Sequence, residues 1–295
     1  MSRWRLAAAG LLAAAGLLAA AAGAAWAGAP GLQAKPAPAA ATASAFAYAG
    51  ELTQGGWIRG QAPVGTVSAR LDNRVLTLDG DRRFFAAFDR DAGAMAILTA
   101  RLANGRTVRT ALTIAPRAWD IERVDVARTQ GKTDEEFLAL RKPELAQIAA
   151  ARAVESPVGG WRQSFVWPVK GRISGRFGSQ RVYKGGEAGA YHSGIDIAPG
   201  AGAPIAAPAD GVVVLAAEQP FSLEGHLLII DHGGGLDSAF LHCDTLKVKV
   251  GEMVRQGQIV ATVGMTGRAT GPHLHWSLTW RGARIDPLLL AGPME

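Results

Sequence analysis

Short runs with a period of two, each ended by a turn signal, constrain this 295-residue chain more than any other feature. Val67-Ser68-Ala69-Arg70-Leu71 alternates apolar and polar side chains, Asp72-Asn73 turns the chain, and Val75-Leu76-Thr77-Leu78 returns it. Asp79-Gly80-Asp81 turns it again before Phe84–Phe88. Met95–Leu102 and Thr107–Ile114 flank Asn104-Gly105, a pair suited to a tight hairpin because such turns need positive φ. This spacing predicts a small antiparallel β-sandwich over residues 45–125. It holds no histidine and no cysteine, so its expected task is binding, spacing or support. From Trp161 the same grammar resumes. Val212–Leu215, Leu227–Asp231, Ser238–His242, Ile259–Val263 and His273–Thr279 read as strands, punctuated by Gly and Pro. The expected fold class is all-β, with the N-terminal sandwich joined by a helical linker (126–160) to an antiparallel β domain (161–295).

Within the linker, residues 133–153 read as a helix. Thr133 would cap it with Glu136 three residues on. Phe137, Leu140, Leu145 and Ile148 would form its apolar face, and Pro143 should kink or break it. Ser156-Pro157-Val158-Gly159-Gly160 closes the segment.

The N-terminus reads as a targeting segment. Met1-Ser2-Arg3-Trp4-Arg5 is basic, Leu6–Ala24 is an uncharged Ala/Leu/Gly run, and Ala25-Trp26-Ala27 offers a small-x-small cleavage pattern. A signal peptide over 1–27 is expected. An uncleaved anchor is the alternative, because the run is nearly long enough to span a bilayer. Only then is a membrane a partner, and both readings place the rest of the chain outside the cytoplasm, in a periplasm or envelope. Residues 28–44 are rich in Ala, Pro, Gly and Ser and read as a flexible leader. The formal charge of +6 suits an anionic envelope. Nucleic acid is not an expected partner, since the chain shows no dense Lys/Arg run and no basic–aromatic interleaving. One cysteine, Cys243, allows neither a disulfide framework nor a Cys-based zinc site.

All six histidines, at 192, 226, 232, 242, 273 and 275, lie in the C-terminal part. In His192-Ser193-Gly194-Ile195-Asp196-Ile197-Ala198 the alternation argues for a strand. His192 and Asp196 would share one face, with Gly194 leaving open space between them. In Gly271-Pro272-His273-Leu274-His275-Trp276 the two imidazoles would share a face, opposite Leu274 and Trp276. Two imidazoles on one face are costly to bury without a metal or acidic partner. His192, Asp196 and one of the His273/His275 pair would supply three ligands to a zinc ion whose fourth position is left for water. The metal would lower that water's pKa and polarise a scissile carbonyl. The second histidine of the pair, or His242, would serve proton transfer or oxyanion stabilisation.

At this point the chain resembles the lysostaphin/LytM-type zinc peptidases. The matching text runs from Gly175-Arg176-Phe177-Gly178 and His192–Ala198 through Ala207-Pro208-Ala209-Asp210-Gly211, Ile229-Ile230-Asp231-His232-Gly233 and Phe240-Leu241-His242. It continues in Val250–Gln258 and ends in Gly264-Met265-Thr266-Gly267-Arg268-Ala269-Thr270-Gly271-Pro272-His273-Leu274-His275-Trp276. It covers roughly residues 165–290. The resemblance implies a compact antiparallel β domain with a zinc groove. It implies one catalytic zinc held by His192, Asp196 and His275, with His242 and His273 as catalytic histidines. It also implies peptidoglycan cross-links as substrate, cut by metal-activated water. His232 is expected to be structural, and Ser179–Ala190 looks longer than the family's spacing, as a loop that could govern access. Some proteins with LytM-like domains lack the zinc residues and regulate other cell-wall hydrolases, so envelope regulators are possible partners. A non-catalytic regulator is the alternative, and all five key positions are filled here. A cysteine nucleophile at Cys243 is disfavoured, because neighbours on a strand face opposite sides.

Overall fold

The computed structural model describes residues 44–125 and 135–294. The expected signal peptide, all but the last residue of the leader, and residues 126–134 with the Thr133 cap lie outside the described residues.

The N-terminal module contains β1 (Ala47–Gly50), β2 (Trp57–Gln61), β3 (Thr66–Leu71), β4 (Arg74–Val75), β5 (Arg83–Ala87), β6 (Met95–Leu102), β7 (Thr107–Thr113) and β8 (Ile121–Arg123). Two antiparallel sheets, β1-β2-β5 and β4-β3-β6-β7, form the sandwich. Asn104-Gly105 turns the β6–β7 hairpin with Gly105 at φ 82°. Alternation explains the burial: Ala96, Leu98 and Ala100 of β6 point inward while their neighbours are exposed or half-buried, as a one-sided sheet requires.

Helix α1 (Glu135–Arg152) follows. The C-terminal part contains β9 (Arg172–Gly175), β10 (Gln180–Val182), β11 (Ile195–Ala198), β12 (Pro204–Ala206), β13 (Gly211–Ala216), β14 (His226–Asp231), β15 (Leu236–Leu246), β16 (Met253–Val254), β17 (Ile259–Val263), β18 (Leu274–Trp280), β19 (Ala283–Ile285) and the short helix α2 (Pro287–Ala291). Their main sheet runs β16-β13-β14-β15-β18-β11-β9, with β17 and β12 branching from β15 and β19 from β18. Every named pairing in it is antiparallel.

The described residues belong to one compact unit, Thr42–Glu295. A single apolar cluster runs from Phe46, Ile58, Phe84 and Leu98 to Trp161, Ile195, Phe240 and Trp276. Polar ties reinforce it. Trp57 Nε1 donates to Leu289 O at 2.8 Å, Arg59 donates to Trp161 O and Gln163 O, and Arg117 pairs with Asp286 at 2.8 Å. Among the described residues, no helix is long and apolar enough to cross a membrane.

Helix α1 differs from expectation. Phe137, Leu140 and Leu145 are exposed rather than packed, and the buried residues are Glu144 and Ala151. Ile148 and Ala151 rest on Leu227, Ile229 and Ala239. Charge docks the rest. Arg141 makes a two-pronged contact with Glu224 at 2.5 Å and bonds Glu144 at 2.9 Å. Glu144 accepts from the Ser222 backbone and hydroxyl, both at 2.6 Å. Such paired, hydrogen-bonded charge is what permits a buried carboxylate. Pro143 lies inside the helix without ending it.

Candidate active site

Strands β11 and β18 are antiparallel neighbours, and their register sets Asp196 directly opposite His275. His192 is not on the strand as expected, for β11 begins only at Ile195. Its backbone is instead tied to the preceding segment, with Gly178 N donating to His192 O at 2.9 Å and His192 N to Ser179 O at 2.8 Å. Gly194 does not leave open space either. A Cβ there would lie 2.4 Å from Trp276 O and 2.7 Å from His275 Nε2, so only glycine lets the chain pass this close to β18.

The bend carries the His192 ring over Asp196. His192 Nε2 lies 3.0 Å from Asp196 Oδ1, His275 Nδ1 lies 2.9 Å from the same oxygen, and the two ring nitrogens are 3.0 Å apart. His273 Nε2 is farther, 3.8 Å from that oxygen. Of the two histidines His275 therefore joins the triangle; β18 begins only at Leu274, so His273 precedes the strand rather than sharing its face as expected. The Nδ1–H of His192 donates to Arg176 O at 3.1 Å, which leaves Nε2 as an acceptor. Three acceptor atoms then face one point, and a proton or a cation must lie among them. Tetrahedral zinc ligands sit about 3.3 Å apart, so this donor set fits a metal ion with little adjustment. Burial raises the Asp196 pKa, but the His192 and His275 imidazoles, which bond and attract the carboxylate whenever they carry the shared proton, outweigh it and hold the carboxyl well below the usual range. Burial also opposes charge on His192, and Asp196 overcomes it and raises that pKa. For His275 burial wins and lowers it.

His242 and His273 stand beside the triangle, their ring centroids 4.8 Å apart. Each donates Nδ1–H to a backbone carbonyl at 2.8 Å, His242 to Thr266 O and His273 to Gly271 O. Both therefore keep Nε2 as an acceptor. Burial lowers the His242 pKa, favouring the neutral ring. His232 lies elsewhere, fully buried between Asp210 O and the Ser238 hydroxyl, as a structural residue. Cys243 is buried with its thiol pushed up to about 12 by desolvation, which leaves almost no thiolate to act as a nucleophile.

Two features of the surroundings were not read from the sequence. Ser277 and Thr279 share the polar face of β18 with His275, yet all three are buried. Helix α1 is the reason: Arg141, Leu145 and Ile148 line a cavity of about 180 Å³ together with His275, Ser277 and Thr279. The second feature is the segment before His192. Its strand β10 pairs in parallel with β8 of the sandwich module. Arg181–Glu122 and Lys184–Asp125 ion pairs flank the pairing, and Arg90 donates to Gly178 O and Gln180 Oε1. Tyr191, next to His192, carries the Arg90 guanidinium on its ring. The sandwich module thus buttresses the loop that bears His192. No periodicity within either segment signals so distant a pairing.

Residues 190–287 match peptidase family M23. The chain is 37% identical over 130 residues to the peptidoglycan DD-endopeptidase ShyA of Vibrio cholerae, covering 43% of this chain and 30% of that protein. It is 36% identical over 133 residues to the murein hydrolase activator NlpD of Escherichia coli, covering 45% of this chain and 31% of that protein. The chain thus spans about a third of the length of these curated relatives. A Pseudomonas aeruginosa crystal structure described as a peptidase M23 superposes with a TM-score of 0.63 at 26% identity, over 83% of this chain and 96% of that one. The triangle of His192, Asp196 and His275 and the two flanking histidines all fall inside residues 190–287, the segment that matches peptidase family M23.

Proposed function

We propose that this chain is an exported zinc metalloendopeptidase that hydrolyses peptide cross-links of bacterial peptidoglycan. The observation that carries the proposal is the donor triangle of His192 Nε2, Asp196 Oδ1 and His275 Nδ1, with two further imidazoles alongside. Those three residues would hold the ion, which when bound supplies Lewis acidity and makes water acidic enough to attack at neutral pH. The chain's own residues do the rest. Arg176 O aims His192 through Nδ1, as outer partners of metal-binding histidines commonly do. His242, neutral and with Nε2 free of its own proton, would accept a proton during attack. His273, whose Nε2 lies 3.8 Å from Asp196 Oδ1, would stand beside the position where the oxyanion develops. The Leu6–Ala24 run and the Ala25-Trp26-Ala27 pattern support export.

The test is digestion of purified peptidoglycan by the full chain with its metal content measured. One zinc per chain and loss of cross-linked muropeptides are expected, and His275→Ala should abolish both. Cleavage that persists with chelator present, or in His275→Ala, would sink the proposal.

A second reading is a non-catalytic activator of other wall hydrolases. It draws on the relatives called murein hydrolase activators and on the position of α1 over the face next to His275. The complete polar set argues for the enzyme. A cellular role unaffected by His192→Ala would favour the activator.

A further inference from the structure

Strands β14 and β15 are out of step beside the site. From the pair Phe240–Leu228 to the pair Cys243–His226, β15 advances three residues and β14 two. The extra residue makes a bulge, and His242 absorbs it at φ 63°. A non-glycine residue holds that conformation only when its surroundings impose it. The His242 backbone is anchored by its N–H, which donates to Glu224 O at 2.8 Å.

The ring is anchored by one residue from another part of the chain. His242 Nδ1 lies 2.8 Å from Thr266 O. A carbonyl can only accept, so the proton sits on Nδ1 and the lone pair on Nε2. The hydroxyl of the same threonine holds that carbonyl in place. It accepts from His226 N at 2.9 Å and donates to Cys243 O at 2.8 Å. One side chain therefore grips both strands of the bulge, touching β15 at the residue next to His242. Gly225 admits it: a Cβ there would lie 2.2 Å from the Thr266 hydroxyl oxygen.

We infer that Thr266 is a positioning residue that sets the tautomer and aim of His242 through its carbonyl and its hydroxyl. The inference rests on the peptidase reading for its catalytic consequence, but its geometry can be tested separately. The experiment uses the full chain with ¹⁵N-labelled histidine and its zinc bound. The His242 ring tautomer is read by long-range ¹H–¹⁵N correlation, and cleavage kinetics are measured on a purified cross-linked muropeptide dimer.

In the wild type the His242 proton is expected on Nδ1. Thr266→Val keeps the shape and loses the hydroxyl. It should lower kcat about ten- to a hundredfold, the range for outer partners of site histidines, with KM and zinc content unchanged. Its His242 signals should spread over both tautomers, and Thr266→Ser should restore rate and signals together. A wild-type ring protonated on Nε2, a Val variant with an unaltered ring signature, or a Ser variant that restores neither would overturn the inference. If the Val variant does not fold, the wild-type tautomer and the Ser variant decide. A wild type with the expected tautomer and no cleavage would refute the peptidase reading while leaving the positioning of His242 intact.

Discussion

Histidines in this chain meet two fates according to what their second ring nitrogen faces. At the triangle and beside it, backbone carbonyls take Nδ1 of His192, His242 and His273 and leave Nε2 for chemistry. At His232 both nitrogens are used, Nδ1 by Asp210 O and Nε2 by the Ser238 hydroxyl, each at 2.8 Å. Burial pushes the His232 pKa down to about 4, against about 6.5 when unfolded. The folded state therefore refuses a proton that the unfolded state takes, and stability falls as pH drops from 6.5 toward 4. At higher pH both states are neutral there and the group adds no pH dependence. Relative to His232→Gln, the wild type should lose on the order of 3 kcal/mol over that interval. Urea denaturation at pH 7, 5.5 and 4 measures it, and a difference between the two proteins that stays constant with pH would refute it.

Among the elements, α1 departs furthest from its sequence pattern. Phe137, Leu140 and Leu145 are exposed, and beyond the Ile148 and Ala151 contact it is held by Arg141, Glu144 and Glu224. Removing Arg141 leaves two half-neutralised carboxylates facing each other in a largely buried setting, at a cost on the order of 3 kcal/mol to docking. Arg141→Met should therefore free the face of β18 next to His275 and raise muropeptide cleavage at least about tenfold, since each 1.4 kcal/mol is a factor of ten. An unchanged or lower rate would show that α1 does not restrict the groove. The strands were legible because their alternation is local: β3, β6, β7, β13 and β18 fall within a residue or two of the runs read from the sequence. The grouping of His192, Asp196 and His275 was legible because their residue types and order are those of a metal-ligand set. What escaped was non-local. The path of His192 off the strand depends on Ser179, the buried face of α1 depends on Glu224 and Ser222, and no repeat period records such partners.

On the scale of the whole molecule, the sandwich and the C-terminal part share one apolar core. Arg117 crosses between them to Asp286, whose carboxylate also accepts from Leu288 N at the start of α2. Arg117→Ala strands that buried carboxylate and should cost about 1–3 kcal/mol. Because the core is continuous, the loss should appear as a lower Tm in a single calorimetric transition. Two separated transitions, in the wild type or the variant, would contradict the shared core. The three-residue pairing of β8 with β10 carries a consequence for heredity as much as for mechanics. Neither half can be exchanged freely with a relative's. A graft whose segment before the first site histidine is too short to supply β10 would leave the Ile121–Arg123 backbone without its partner and the His192 loop without its prop. Gene fusions that shuffle these halves should survive only when insertion and strand travel together.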